Sequence, residues 1–155
     1  MSEHKATIRW KCTSAEFLSG KYSREHLWTF DGGMTILASP SPSVVPVPYS
    51  NPAHVDPEEA FVASVSSCHM LTYLYLAGRK GFQINSYDDE AIGTMTKNEK
   101  GVPWISSIKL RPQIIYGGEK KPTLEDEHRL HHDAHEQCFI ANSIKTKVRV
   151  EPNAQ

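Results

Sequence analysis

Cys68 lies in the run from Asp56 to Leu71, and Cys138 lies in His-Glu-Gln-Cys-Phe-Ile-Ala-Asn-Ser from His135 to Ser143. Each falls on its own expected helix. A peroxide can oxidise one thiol to a sulfenic acid, and a second thiol can condense with that product to give a disulfide. Two cysteines on separate helices therefore suit a two-step peroxide reduction. A single helical cysteine among apolar neighbours also has a plainer reading, as a small core hydrophobe. Cys68 sits well past the first turn of its helix, where the helix dipole has faded, so activating it as a nucleophile needs a cation brought from elsewhere. Arg24, in Lys21-Tyr22-Ser23-Arg24-Glu25-His26, is a candidate source, and its plain reading is a solvated loop arginine.

A second constellation competes with the thiols. His128, His131, His132 and His135 precede Cys138 at i, i+3, i+4 and i+7 spacings on one helix, and imidazole pairs at such spacings can chelate zinc or another transition metal. One helix presents about two ligands to one ion, so a metal site would need further ligands from elsewhere. The alternative is a polar, partly exposed helix face. His69, next to Cys68, points about 100° away from it on the helix, which favours core packing or a structural hydrogen bond over proton donation to a leaving group. Cys12 falls on the apolar side of the first strand as a packed residue, and Trp10, Trp28 and Trp104 are expected in a core or a dimer interface.

The elements that must position these groups follow from periodicity. Thr7–Cys12 alternates, with Ala6, Ile8, Trp10 and Cys12 on one side, as a half-buried strand. His26–Phe30 and Met34–Ala38 bracket Asp31-Gly32-Gly33 as a hairpin. Residues 39–57 hold six prolines, from Pro40 to Pro57, and form a stiff loop that feeds the Cys68 helix as a candidate wall or lid. That helix starts with Asp56 as N-cap, Pro57 at the first position and Glu59 as the capping-box partner, and it ends at Gly78 or Gly81.

Ala60–Gly78 carries no Asp, Glu, Lys or Arg, yet Ser64, Ser66, Ser67, His69 and Thr72 make it too polar for lipid. With apolar or small residues on every face, it is expected to be surrounded by protein on nearly all sides. Asp89–Lys97 and Val102–Tyr116 read as a second hairpin around Asn98–Gly101, with Trp104, Ser106, Ile108 and Leu110 on one face. A second helix runs from a Thr123 cap, with Asp126 three residues on, to about Ile140, with Asn142 as a left-handed stop. Ile144, Thr146, Val148 and Val150 alternate with charged residues in a final strand. The order βββαββαβ gives an α+β fold with antiparallel sheet packed on two main helices.

Composition bounds the setting. The chain of 155 residues suits one domain, 1–155, and needs no disulfide or metal staple. With 39% hydrophobic and 23% charged residues and a net charge of -1, nothing pulls it toward nucleic acid. Met1–Ala6 is polar and lacks a signal peptide's apolar core, and three cysteines do not make a secreted disulfide framework. The expected location is the cytoplasm, with no membrane partner and no cofactor.

Asp56-Pro57-Glu58-Glu59 leading to Cys68, a second cysteine on a later helix, and an arginine shortly before Asp31-Gly32-Gly33 together resemble the OsmC/Ohr family of organic hydroperoxide reductases. The resemblance covers nearly the whole chain and implies an intertwined homodimer. It implies Cys68 as the peroxidatic thiol, Cys138 as the resolving thiol, Arg24 as the thiolate partner and Glu58 as the carboxylate that holds the arginine. It also implies an external dithiol reductant such as dihydrolipoamide, free or on a lipoylated protein. Two positions depart from the family's pattern: His69 stands where an aromatic or aliphatic residue is usual, and Phe139 where proline is frequent. Glu58 and Cys68 lie ten positions apart, about 15 Å along a helix, so one guanidinium cannot easily touch both on the same helix, and an Arg24 and Glu58 unit is expected to reach Cys68 from a partner chain.

The expected function is thiol-dependent reduction of organic hydroperoxides, an antioxidant role in oxidative stress. The Ala, Val, Phe, Leu and Pro content near Cys68 favours fatty or aryl hydroperoxides over hydrogen peroxide. The alternatives are a non-catalytic protein on the same fold that binds a small molecule, and a metal-binding module built on the histidines.

Overall fold

Hydrogen bonding divides the strands into three small sheets, in the orders β1-β2-β3, β4-β7 and β5-β6-β8. They are described in a computed structural model covering residues 1–152. Two units result, one spanning Met1–Ala60 and the other starting at Phe61.

In the first unit, β1 (Ala6–Arg9), β2 (His26–Phe30) and β3 (Thr35–Ala38) form an antiparallel meander. Gly33, at φ 88°, turns the β2–β3 hairpin as expected, and its N–H donates to Phe30 O. The first strand is shorter than the alternation suggested. It stops at Arg9, and the Trp10 indole donates to Ser23 O in the following loop. Its buried side is also not the expected one, because Thr7 is half-buried whereas Ile8 is 58% exposed and Cys12 is exposed. Cys12 is thus no core residue; its thiol donates to Ser14 O in the loop.

The proline-rich segment forms turns and one isolated bridge, Ala38 to Val55, but no regular element. Asp56 then caps helix α1 (Pro57–Arg79) reciprocally: Glu59 N–H donates to Asp56 Oδ1 at 2.7 Å, and Asp56 N–H donates to Glu59 Oε2 at 3.2 Å.

In the second unit, α1 buries Val65, His69, Tyr73 and Ala77, a single stripe at four-residue spacing. This corrects the expectation of a helix enclosed on nearly all sides, since Leu71 is 60% and Tyr75 57% exposed within one chain. By length and composition alone α1 is also apolar enough to cross a membrane. Gly81, at φ 80°, ends the helix, with Phe82 N–H returning to Ala77 O.

Four strands lie between α1 and the next helix where two were expected. β4 (Gln83–Asp89) pairs antiparallel with β7 (Pro112–Gly117), and β5 (Ile92–Lys97) pairs antiparallel with β6 (Pro103–Leu110) around the expected Asn98–Gly101 turn. The long segment from Val102 to Tyr116 divides at Arg111. There Asp89 accepts the Arg111 N–H at 2.6 Å, and Pro112 has no N–H to continue the ladder. β8 (Lys147–Val150) is shorter than read from sequence and joins β6 in parallel, so the sheets are not wholly antiparallel.

Helix α2 (Leu124–Gln137) starts at the predicted capping box of Thr123 and Asp126. It ends three residues before the expected Ile140. Asn142 does not adopt the left-handed conformation; its side-chain amide donates to Glu136 O and Cys138 O instead. Tyr73, Ala77, Phe82, Ile114, Leu130 and Ala134 form one core cluster, and Val65, Ile108 and Leu110 form another.

Candidate functional site

Cys68 sits midway along α1 and is half-buried; its carbonyl accepts the Thr72 hydroxyl at 2.9 Å. Cys138 is the residue immediately after α2, in extended conformation (φ -70°, ψ 116°) rather than on the helix. It is 1% exposed. Its sulfur accepts the Ala141 N–H at 3.4 Å and its carbonyl is held by Asn142, so the turn that follows fixes it on two sides. The structure brings Cys68 close enough to Cys138 to act on its titration. Burial first, then the neighbouring Cys68, pushes the Cys138 thiol up to about 11. Cys138 therefore remains protonated at neutral pH and can donate its S–H to the Cys68 sulfur.

The two charged candidates lie in the first unit. Arg24 Nη1 donates to Tyr22 O at 2.7 Å and Gly20 O at 3.1 Å, and the guanidinium lies 3.9 Å from the Tyr22 ring centroid. Arg24 is thus a folded part of its own loop, not a solvated arginine. Glu58, in the first turn of α1, carries a buried Oε2 with no hydrogen-bond partner. Among the described residues no ion pair joins Arg24 to Glu58.

The histidines separate by environment. His131 is 6% exposed and shares a 3.1 Å hydrogen bond with His69, itself 1% exposed. The rings stack with centroids 5.4 Å apart and 9° between their planes. Burial first, then the neighbouring His135, lowers His69 to about 4, with Asp89 opposing. Burial, His69 and His128 lower His131 to about 3. Both are neutral imidazoles at pH 7. His128 and His132 are exposed, and all four helical histidines border a cavity of about 380 Å³ that Val148 and Val150 close from the strand side. Among the described residues no three His, Cys, Asp or Glu side chains converge on a point that could hold a metal ion.

Residues 50–153 match the family model for OsmC-like protein. The chain belongs to the OsmC-like family. An OsmC-like protein of unknown function from Vibrio cholerae is 52% identical, with a TM-score of 0.94 over 98% of this chain and 99% of that one. More distant OsmC-like structures share the fold. The organic hydroperoxide resistance protein OhrB of Bacillus subtilis has 19% identity and a TM-score of 0.67 over 98% of each chain. An organic hydroperoxide resistance protein from Elizabethkingia anophelis has 17% identity and a TM-score of 0.69 over 98% of this chain and 94% of that one. No curated protein matches.

Sequence reasoning passed over the meeting of His69 with His131. His69 was legible as a core histidine, but nothing in the spacing on α2 distinguishes His131 from its exposed neighbours. It likewise missed Asn142 as the residue that holds the Cys138 backbone. Its only signal is an amide side chain five residues past a helix end, where free carbonyls need donors.

Proposed function

We propose that this protein is a cytoplasmic, thiol-dependent peroxidase that reduces organic hydroperoxides to alcohols, with Cys68 attacking peroxide and Cys138 resolving the product. The observation that carries the reading is the thiol pair: a half-buried Cys68 beside a buried, protonated Cys138. The more accessible sulfur meets the peroxide, and the enclosed one waits for the oxidised product.

The Cys68 thiolate attacks one oxygen of ROOH. The O–O bond breaks, the sulfur becomes a sulfenic acid, and RO⁻ leaves to take up a proton as ROH. The Cys138 sulfur then displaces the sulfenic hydroxyl, forming the disulfide and releasing water. An external dithiol of the dihydrolipoamide type, free or borne on a lipoylated protein, reduces the disulfide and is itself oxidised to its cyclic disulfide. No bound cofactor enters the cycle. Two of the fold's solved relatives are named organic hydroperoxide resistance proteins, which accords with this substrate class.

The working unit in this reading is a homodimer. α1 leaves Leu71 and Tyr75 exposed, and Glu58 has a buried carboxylate oxygen without a donor. An Arg24 and Glu58 unit, its arginine the donor to that oxygen, would reach Cys68 of the partner chain with a cation that stays charged throughout turnover.

A second reading, a non-catalytic binding protein, draws on a groove of about 670 Å³ bounded by Leu71, Thr72, Tyr75 and Phe139, next to both cysteine-bearing segments. Cys68→Ser separates the two. The peroxidase loses all turnover of cumene hydroperoxide in this variant, whereas a binder keeps its affinity for an apolar probe and had no turnover to lose.

A further inference from the structure

His69 follows Cys68 on α1, and His131 precedes Cys138 by seven residues, two turns of α2. The imidazole pair therefore joins α1 to α2, and the thiol pair joins α1 to the residue that follows α2. The imidazole pair is buried on both sides. Tyr73 packs its ring 4.3 Å from that of His131, and Tyr73 OH is held in turn by Tyr116 OH at 2.6 Å. Apolar contacts such as Leu130 and Ala134 against Tyr73 and Ala77 tolerate small displacements of one helix along the other. A 3.1 Å hydrogen bond between stacked rings does not, because its strength falls steeply with distance and angle. Cys138 directly follows α2, tied to it by its N–H on His135 O and by Asn142, which bonds both Glu136 O and Cys138 O, so its distance from Cys68 depends on where α2 stands against α1.

We propose that His69 and His131 form a positioning pair, fixing α2 against α1 at the separation where the Cys138 sulfur reaches Cys68, and so setting how readily the Cys68–Cys138 disulfide closes. Its part in turnover rests on the peroxidase reading, where closure is the step Cys68–SOH plus Cys138–SH to disulfide plus water. Closure itself needs no peroxide. With glutathione disulfide the two protein thiols pass both electrons and both protons to glutathione, leaving two glutathione thiols and the protein disulfide.

The test is the closure equilibrium in glutathione buffers at pH 7, read by mass spectrometry of the Cys68–Cys138 peptide pair, in the natural protein, His131→Phe and His131→Asn. Phenylalanine keeps a ring against Tyr73 but cannot hydrogen-bond, whereas asparagine places a polar atom near the position of Nδ1. The closure constant is expected to fall tenfold or more in His131→Phe, about 30 mV toward easier reduction, and to recover most of that loss in His131→Asn.

A folded His131→Phe protein with an unchanged constant overturns the proposal. So does loss in both variants in proportion to their thermal destabilisation, or failure of the natural protein to close the disulfide at all. If His131→Phe does not fold, nitrogen-15 NMR of the natural protein decides. The His69–His131 bond must persist in both the reduced and the disulfide forms, and its rupture on oxidation overturns the proposal. A protein that closes its disulfide with this histidine dependence yet leaves cumene hydroperoxide intact would keep the inference and sink the peroxidase reading.

Discussion

The Cys138 thiol, one position past the last turn of α2, lies beside Cys68 on α1. Held protonated by burial, Cys138 is a poor nucleophile toward peroxide and a well-placed one toward a neighbouring sulfenic acid. Cys138→Ser should therefore release a single equivalent of alcohol at near-normal rate and then stop. Dimedone labelling and intact mass should show Cys68 as sulfenic acid, passing to sulfinic acid with excess peroxide. Sustained turnover in this variant would remove Cys138 from the mechanism.

Acid should destabilise the fold through the imidazole pair. His69 is held near 4 and His131 near 3, against an ordinary value of 6.5. Between those values the unfolded chain binds more protons than the folded one, so stability rises with pH. It is complete above about pH 6.5 and is lost as pH falls toward 4, on the order of 3 kcal/mol from His69 alone. The groups facing the pair are His135 and Asp89 for His69, and His128 for His131. Urea midpoints measured from pH 7 to pH 4 should fall more steeply for the natural protein than for a His69→Phe/His131→Phe double variant. Equal slopes would show that the pair remains protonatable in the fold.

Asp89 ties three elements of the second unit together. It accepts the Ser66 hydroxyl from α1 and the Arg111 N–H at the point where β6 gives way to β7. Asp89→Ala strands both donors and should cost about 1–3 kcal/mol, read as a lower urea midpoint with an unchanged slope. A midpoint equal to that of the natural protein would mean that water satisfies these groups.

Gly93 on β5 faces Val62, whose Cγ2 would stand 2.5 Å from a Cβ built at that glycine. Valine is stiff at χ1 and cannot swing away, so Gly93→Ala should destabilise by about 1–3 kcal/mol. Val62→Ala should restore much of that loss when combined with it, a coupling that thermal melts of the two single variants and the double variant would reveal.

Local chemistry made the helix starts legible. The reciprocal pairs Asp56/Glu59 and Thr123/Asp126 are visible as residue types at fixed spacing, and both caps form as read. The β5–β6 turn was legible for the same reason, through Asn98 and Gly101. β4 was not, because the bulge between Ile84 and Ser86 breaks its alternation and Asn85, Asp88 and Asp89 lower its strand propensity. The parallel placement of β8 beside β6 is a long-range choice that no local pattern encodes. The exposed Ile8 of β1 shows the limit of alternation: period two reveals that a strand has two unlike faces, not which of them one chain covers. At the site, both cysteines could be located from sequence, but their approach and the His69–His131 pair depend on how α1 packs with α2.

The central claim is tested most directly by stopped-flow mixing of the reduced protein with cumene hydroperoxide and with hydrogen peroxide, followed by peptide mapping of the product. The account predicts fast consumption of the organic peroxide, slower reaction with hydrogen peroxide, and one disulfide between Cys68 and Cys138. Both thiols left reduced after exposure to the organic peroxide would contradict it.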